Sequence, residues 1–598
     1  MKEYEKAIPL FEDVKSKLEP PQKTSALYYL AMCYHEKGDL NKAIDLLYEG
    51  LSILPPNLMS RNMVIEKLYE SKRYQLLSKL MDLLYQQKEF GEAFLLSEKY
   101  RALNLISILK LDTNPMLGVG PFSKLVNFLA LSGLSCVEYF ISVEYIEKKN
   151  VTSQPENTST EELGKEEDLG KEDLPEEEEG KEKPSEEENV FQNSQPDFER
   201  KEFLYVFIVN ASSSIHCERL DLSEALKESG IEEKKIGESV YKLRELLGIK
   251  DDPSETHFLD TQLSSQFEEV GKESLENAKR YLQFFHKVLF GCVLDRLESE
   301  DVVIVPNKEL FLLPFCVLED SQGEPLLEKL NISLSPSLYA LLSIRQCNYT
   351  PTRDPEDKAL IVGDPSPSSL LTNTITDKKP NLPTISSIPH WQDEISTISD
   401  TWKKLNVSEV ISGSKEECNN EFFYKSYPKS KYIHFATHFC AEEISPSVPH
   451  YGKISLASSG ETPHAGWISA HLSNYRLPFS SQIVSLSSVI TLSGKIKGEN
   501  FSDSLQSFFR SGSHSVLSPI CSFPSHSFSQ FFQSFYQMLS KFPQNSAKAL
   551  RHAQIQLRKN SPLDCNPLLW GSFILFGSTD PFLEDLSMPT GVSQYTIF

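Results

Sequence analysis

The sequence predicts an all-α helical array followed by an α/β domain, whose mostly parallel sheet is covered by helices on both faces. Three observations carry that expectation. Apolar and small residues recur at helical spacing through the first hundred or so residues. From about residue 260 onward, short apolar runs alternate with amphipathic stretches. Between these regions, residues 151–200 hold 18 Asp or Glu against 5 Lys or Arg, too polar for a core. At 598 residues the chain is long enough for two or more cores.

The helical array comes first. Thr24 to Pro55 places Leu30, Tyr34, Gly38, Ala43, Leu47 and Pro55 at the spacing of two antiparallel helices. Gly38-Asp39 makes the turn between them, and Ala43 allows close approach. The spacing resembles a tetratricopeptide repeat, with Leu27 and Ala31 where that repeat favours Trp and Gly. Upstream, Tyr4-Glu-Lys-Ala-Ile-Pro-Leu-Phe11 follows the pattern of Leu40-Asn-Lys-Ala-Ile-Asp-Leu-Leu47. It reads as a second helix without its first, so the array is expected to start in mid-repeat. A third, degenerate unit is expected over Leu80 to Leu109. Such an array either props up the α/β domain or offers a concave groove for a peptide.

The acidic stretch is low in complexity: Glu162-Leu-Gly-Lys-Glu166 nearly repeats as Asp168-Leu-Gly-Lys-Glu172. Its few apolar residues cannot offset chain entropy, so it is expected to be disordered. Val137–Ile146 before it and Phe203–Val209 after it both read as strands. An insertion between two strands of one domain is therefore expected, with a domain-separating linker as the alternative. The expected boundaries are 1–112 for the repeats and 113–598 for the α/β domain, with 148–200 the acidic insertion.

Strands are predicted at Asp301–Val305, Ala359–Val362, Tyr432–Ala436, Gln482–Leu486, Ser515–Leu517 and Phe573–Phe576. Helices are predicted at Leu282–Leu297, Gln392–Leu405, Phe501–Ser511 and Ala547–Lys559. Such alternation favours parallel strands joined by helical crossovers. Ligands of such sheets sit beyond the carboxyl ends of the strands. His438 and Val489 both fall there.

Composition excludes several classes. The net charge is −24, of which −13 lies in residues 151–200, and no clustered basic face exists for phosphates, so nucleic acid is not expected. The ten cysteines form no CxxC pair and no Cys/His ladder, which argues against structural zinc and a disulfide scaffold. Met1–Lys6 lacks a signal-peptide core, and Ser132, Gly133, Ser135 and Glu138 interrupt the longest apolar stretch. A cytoplasmic, reducing location without membrane contact is expected. No phosphate-cradling GxxxxGK[ST] occurs, and no cofactor or metal is expected.

Several pieces, taken together and in order, resemble the CHAT domain, a caspase-like peptidase module found after tetratricopeptide repeats. They are Ile304-Val-Pro-Asn307 with Leu310–Phe315, Leu334-Ser-Pro-Ser-Leu338, Ile361-Val-Gly-Asp-Pro365, His434-Phe-Ala-Thr-His438, Phe508–Val516, Ala549–Ala553 and Pro567–Phe573. Glu98-Lys-Tyr-Arg101 resembles the helix that precedes such domains. The resemblance implies a caspase-like fold, with His438 as the general base and Val489 at the place of the cysteine nucleophile. A thiolate there would attack a peptide carbonyl, with backbone N–H groups binding the oxyanion. Valine has no lone pair to attack with. Two further departures agree. Phe439 comes after the histidine where the family has glycine, and Cys521-Ser-Phe-Pro-Ser525 lacks the acids of the family's Trp-Pro-x-Asp-Asp element.

The expected function is a protein-interaction scaffold on an inactive CHAT domain, with His438 as a relic base. Protein or peptide ligands would bind through the repeats or the old substrate cleft, in an unknown oligomeric state. The alternative is an active caspase-like endopeptidase using His438 with a non-standard nucleophile. A one-residue shift would place Ser488 opposite His438; Cys440, read as lying on a loop, and Cys521 are the other substitutes. The basic run Lys548–Lys559 reads as a core-facing helix with a solvated basic side.

Overall fold

The computed structural model describes residues 2–55, 63–101, 119–147, 198–249, 270–342, 357–363, 391–427, 430–440, 453–457, 467–469, 481–489, 508–509, 513–520, 528–562 and 565–579. The greater part of the acidic stretch, Cys521 and most of the helix expected at Phe501–Ser511 lie outside the described residues.

The chain opens with helices α1 (Lys2–Lys15), α2 (Pro20–Glu36), α3 (Leu40–Ile53), α4 (Met63–Gln86) and α5 (Phe90–Arg101). Apolar stripes at helical spacing drive their pairing: Leu27, Leu30 and Ala31 of α2 and Ala43, Leu47 and Leu51 of α3 are all buried. The turn between α2 and α3 recurs between α4 and α5. Gly38 has φ +87°, and Lys88, fifty residues on, has φ +64°. Gly38 N donates to His35 O at 2.9 Å and Asp39 N to Tyr34 O at 2.9 Å. Lys88 N donates to Tyr85 O at 3.0 Å and Glu89 N to Leu84 O at 3.0 Å, which is the same pattern. Glycine adopts this left-handed conformation freely, whereas a lysine there carries about 1 kcal/mol of strain.

Helix α6 (Val119–Ser132) leads into strand β1 (Ser135–Glu147), then β2 (Phe198–Val209) and β3 (Ile215–Asp221). Helices α7 (Leu222–Glu228), α8 (Ile236–Leu246) and α9 (Lys272–Phe290) precede β4 (Asp301–Val305) and β5 (Asn331–Leu334). Next come β6 (Lys358–Gly363), α10 (Trp391–Lys404), β7 (Glu409–Gly413), α11 (Asn420–Ser426) and β8 (Tyr432–Cys440). The chain continues through β9 (Lys453–Ser455), β10 (Trp467–Ser469), β11 (Ile483–Val489) and β12 (Ser515–Pro519). It closes with α12 (Phe528–Lys541), α13 (Ser546–Asn560), α14 (Leu568–Gly571) and β13 (Phe573–Gly577).

All the described strands join one sheet, ordered β10-β9-β8-β11-β12-β13-β5-β4-β1-β2-β3, with β6 also paired to β8 and β7 paired to β6 on its far side. The pairs β6/β7, β6/β8, β8/β11, β11/β12, β13/β5, β5/β4 and β4/β1 are parallel. The pairs β12/β13, β2/β3, β8/β9 and β9/β10 are antiparallel. The sheet is thus mostly parallel and helix-covered, as the sequence predicts. Cys440, expected on a loop, instead closes strand β8 and pairs with Lys453 of β9. Strands β1 and β2, which flank the acidic stretch, are neighbours in the sheet.

Alternation divides each strand between two cores. On β8 and β11, Ile433, Phe435, Val484 and Leu486 face one cluster with Phe423 and Phe508. On the other face Ala359, Ile361, Ile483 and Leu517 meet Ile398 and Trp402 of α10 and Phe531, Phe532 and Phe535 of α12. A third cluster joins the helical array to the sheet, with Leu80, Leu84 and Phe94 against Phe140, Tyr205 and Phe207.

Buried charges reinforce that junction. The Glu98 carboxylate of α5 accepts from Leu338 N at 2.8 Å and Tyr339 N at 2.6 Å, at the start of a helical turn. Arg101 Nε lies 3.0 Å from Glu138 Oε1 of β1, and its guanidinium donates to Pro306 O and Tyr139 O. Burial first, then the charge of Glu138, holds the Glu98 carboxyl well above the usual carboxylate range. The basic side of α13 does more than face solvent. Arg551 Nε donates to Leu327 O at 2.7 Å, and Arg558 Nη1 donates to Glu328 Oε1 at 2.6 Å.

Candidate functional site

Strands β8 and β11 run parallel and side by side, so their carboxyl ends emerge together. Tyr432 pairs with Ile483, Ile433 with Val484, His434 with Ser485 and Phe435 with Leu486. The register then slips. Between Phe435 and His438 β8 passes two residues, while β11 passes only Ser487 between Leu486 and Ser488. An extra residue of this kind bends its strand and re-aims the positions beyond it. After the slip His438 pairs with Ser488, and Phe439 with Val489. The backbone therefore brings together all three residues singled out from the sequence, at the ends of neighbouring strands. It sets Ser488 rather than Val489 directly across from His438.

Four residues before His438, His434 sits in a polar cluster that the sequence pattern did not single out. Its side chain is fully buried, with Nε2 2.8 Å from Glu394 Oε1 of α10 and Nδ1 3.0 Å from Tyr536 OH of α12. Phe532 meets the imidazole edge-on, with ring centroids 4.5 Å apart. Burial above all pushes the Tyr536 hydroxyl pKa upward, so it stays protonated and acts as a neutral hydrogen-bond partner. One signal was present in the sequence. Glu394, Ile398 and Trp402 recur every four residues along α10 and are all buried, which sets an acid on the core-facing stripe. Among the described residues, no group of three or more His, Cys, Asp or Glu could hold a metal ion.

A family model for the CHAT domain matches residues 279–578, half of the chain. The chain belongs to the CHAT-domain family. The match begins within α9 and ends just after β13, so it takes in β4–β13 and both strands that carry His438 and Ser488. Strands β1–β3 precede it and still complete the CHAT sheet. No curated protein matches the chain. Among solved structures, the Saccharomyces cerevisiae separase–securin complex at 3.0 Å shows 11% identity and a TM-score of 0.41, over 90% of this chain and 37% of that one. The Arg-specific cysteine proteinase gingipain R shows 11% identity and a TM-score of 0.32, over 53% of this chain and 70% of that one. Both likenesses are too distant to bear on individual residues or on activity. No helix among the described residues is long and apolar enough to cross a membrane.

Proposed function

We propose that this CHAT protein is a non-enzymatic scaffold that binds protein or peptide ligands, built on a peptidase-type domain that has lost its nucleophile. Val489 carries the reading. It stands where the family resemblance puts the cysteine, and an aliphatic side chain can neither attack a carbonyl nor surrender a proton. His438 is then a general base with nothing to activate. The ligand surfaces would be the relic cleft beyond β8 and β11 and the tetratricopeptide-like array α1–α5. The recurrence of the Gly38 turn at Lys88 supports the repeat reading. Cys33, Cys136, Cys217, Cys292 and Cys316 carry no disulfide, which suits a reducing cytoplasmic location.

One observation favours a second reading. The register pairs Ser488 with His438, so a hydroxyl-bearing residue and a histidine stand side by side at the strand ends, the residue types a serine-type endopeptidase uses. Cleavage of a broad peptide library by the intact chain, His438→Ala, Ser488→Ala and Val489→Cys separates the two. The scaffold reading expects silence from the first three and gained cleavage with Val489→Cys. Cleavage by the intact chain that vanishes in both His438→Ala and Ser488→Ala would replace it with the serine enzyme.

A further inference from the structure

Helices α12 and α13 form a hairpin whose composition departs from the rest of the chain. Residues 528–560 contain five Lys or Arg and no Asp or Glu, in a molecule whose net charge is −24. Arg551 and Arg558 are engaged with Leu327 O, Glu300 and Glu328. Lys541, Lys548 and Lys559 have no acidic partner among the described residues. His552 lies among them, stacked on Phe542 with ring centroids 5.1 Å apart, and Lys548 Nζ sits 4.9 Å from the centre of the same ring. Burial first, then Arg551, Lys548, Lys541 and Lys559, hold the imidazole pKa below its ordinary value.

A groove of about 230 Å³ runs between the same two helices. Its walls carry amides, Gln530, Gln533 and Gln537 from α12 and Gln556 and Asn560 from α13, and no residue lining it is charged. Helical spacing aligns these walls with the cations. Lys541 is one turn beyond Gln537, and Lys548, His552, Gln556 and Lys559 follow one another at steps of four, four and three. Each amide offers a donor and an acceptor, as a peptide main chain requires. Lys548 and Lys559 are about 16 Å apart along the helix axis, the reach of about five extended residues.

We infer that the α12–α13 groove binds an extended acidic peptide of a partner protein, with its main chain on the amides and its carboxylates on Lys541, Lys548 and Lys559. The groove is a surface beyond the cleft and the array, and the inference rests on the scaffold reading in taking a peptide as the ligand. Charge complementarity decides the occupant. A short cationic stripe without acidic partners selects a short acidic segment, whereas a long polyanion meets the repulsion of the acidic molecule around it. Carboxylates beside His552 offset the cations that lower its pKa, so binding takes up a proton and tightens as the pH falls from 8 to 6.

The test titrates the intact chain at low salt with blocked pentaglutamate, beside blocked pentaglutamine. Pentaglutamate is expected to bind about tenfold tighter or more. Lys541→Glu with Lys559→Glu, both at exposed positions, should weaken it about tenfold, the worth of two exposed charge pairs. The same change of charge at Lys227→Glu with Lys234→Glu, exposed on and just after α7, should leave binding unchanged. His552→Gln should abolish the pH dependence, and a flat profile in the intact chain would remove His552 from the site. No binding, equal binding of pentaglutamine, or equal weakening by the two double variants overturns the proposal. A single-stranded oligonucleotide that displaces pentaglutamate at lower concentration would assign the groove to a phosphate chain instead. A carbodiimide crosslink from Lys541 or Lys559 to residues 161–188 of the same molecule would give the groove to the chain's own acidic stretch and overturn the partner. None of these outcomes depends on cleavage, so the scaffold reading stands or falls separately.

Discussion

At the scale of single residues, the polar cluster behind the site has the larger energetic consequence. His434 and Glu394 are both buried, and their 2.8 Å contact satisfies groups that would otherwise be costly in a low-dielectric core. Removing one partner strands the other. His434→Leu is expected to destabilise the fold by about 3–5 kcal/mol in urea unfolding, because Glu394 is left unpaired. Glu394→Gln keeps a hydrogen-bonding group and should cost about 1 kcal/mol. Replacing both by leucine should cost less than His434→Leu alone, since no buried polar group is then left without its partner. Simply additive costs would show that the two residues do not act as a pair. His438 itself was legible from sequence, as a histidine at the carboxyl end of an apolar strand. Its pairing with Ser488 was not fixed by the residues, because a one-residue bulge in β8 decides it and bulges leave no reliable pattern in composition.

Among the secondary-structure elements, α5 shows how the helical array is held to the sheet. Its Glu98 carboxyl shares a buried site with Glu138 and binds its proton more tightly in the folded chain than in the unfolded one. The resulting stability is complete below the ordinary glutamate value of about 4.3 and declines as the pH rises toward the folded-state value. Urea midpoints measured from pH 5 to 8 should therefore fall for the intact chain relative to Glu98→Gln, which has no proton to lose. Parallel profiles would show that Glu98 is not the titrating group. The predicted strands on either side of this junction were found, because Val137–Ile146 and Phe203–Val209 are dense in apolar residues. Strand β3 escaped because His216, Glu218, Arg219 and Asp221 break its pattern, as suits a strand at the sheet edge. Strand β7 escaped for a similar reason, since only Gly413 in it is fully buried. The antiparallel β12/β13 pair departs from strand–helix alternation, which by itself favours parallel neighbours.

For the molecule as a whole, the main question is what the acidic stretch does to folding. It carries −13 of the −24 net charge, and the strands that flank it, β1 and β2, are neighbours in the sheet. Entropy sets a mild cost for a connection of that length, since the cost of loop closure grows only with the logarithm of the number of residues. Shortening it from about fifty residues to about five would favour folding by about 2 kcal/mol in that treatment. Removing like charges acts in the same direction by lowering self-repulsion. Replacing residues 150–196 by a short Gly/Ser linker should therefore leave the thermal midpoint unchanged or raised, with the circular dichroism spectrum of the remaining sheet and helices preserved. A variant that fails to fold would show that the acidic stretch supplies contacts the sheet requires. If the variant folds but binds a partner more weakly, the stretch acts in recognition rather than in folding. That contribution to binding would be expected to weaken as salt rises, because exposed charges are screened beyond about 10 Å at 0.1 M ionic strength.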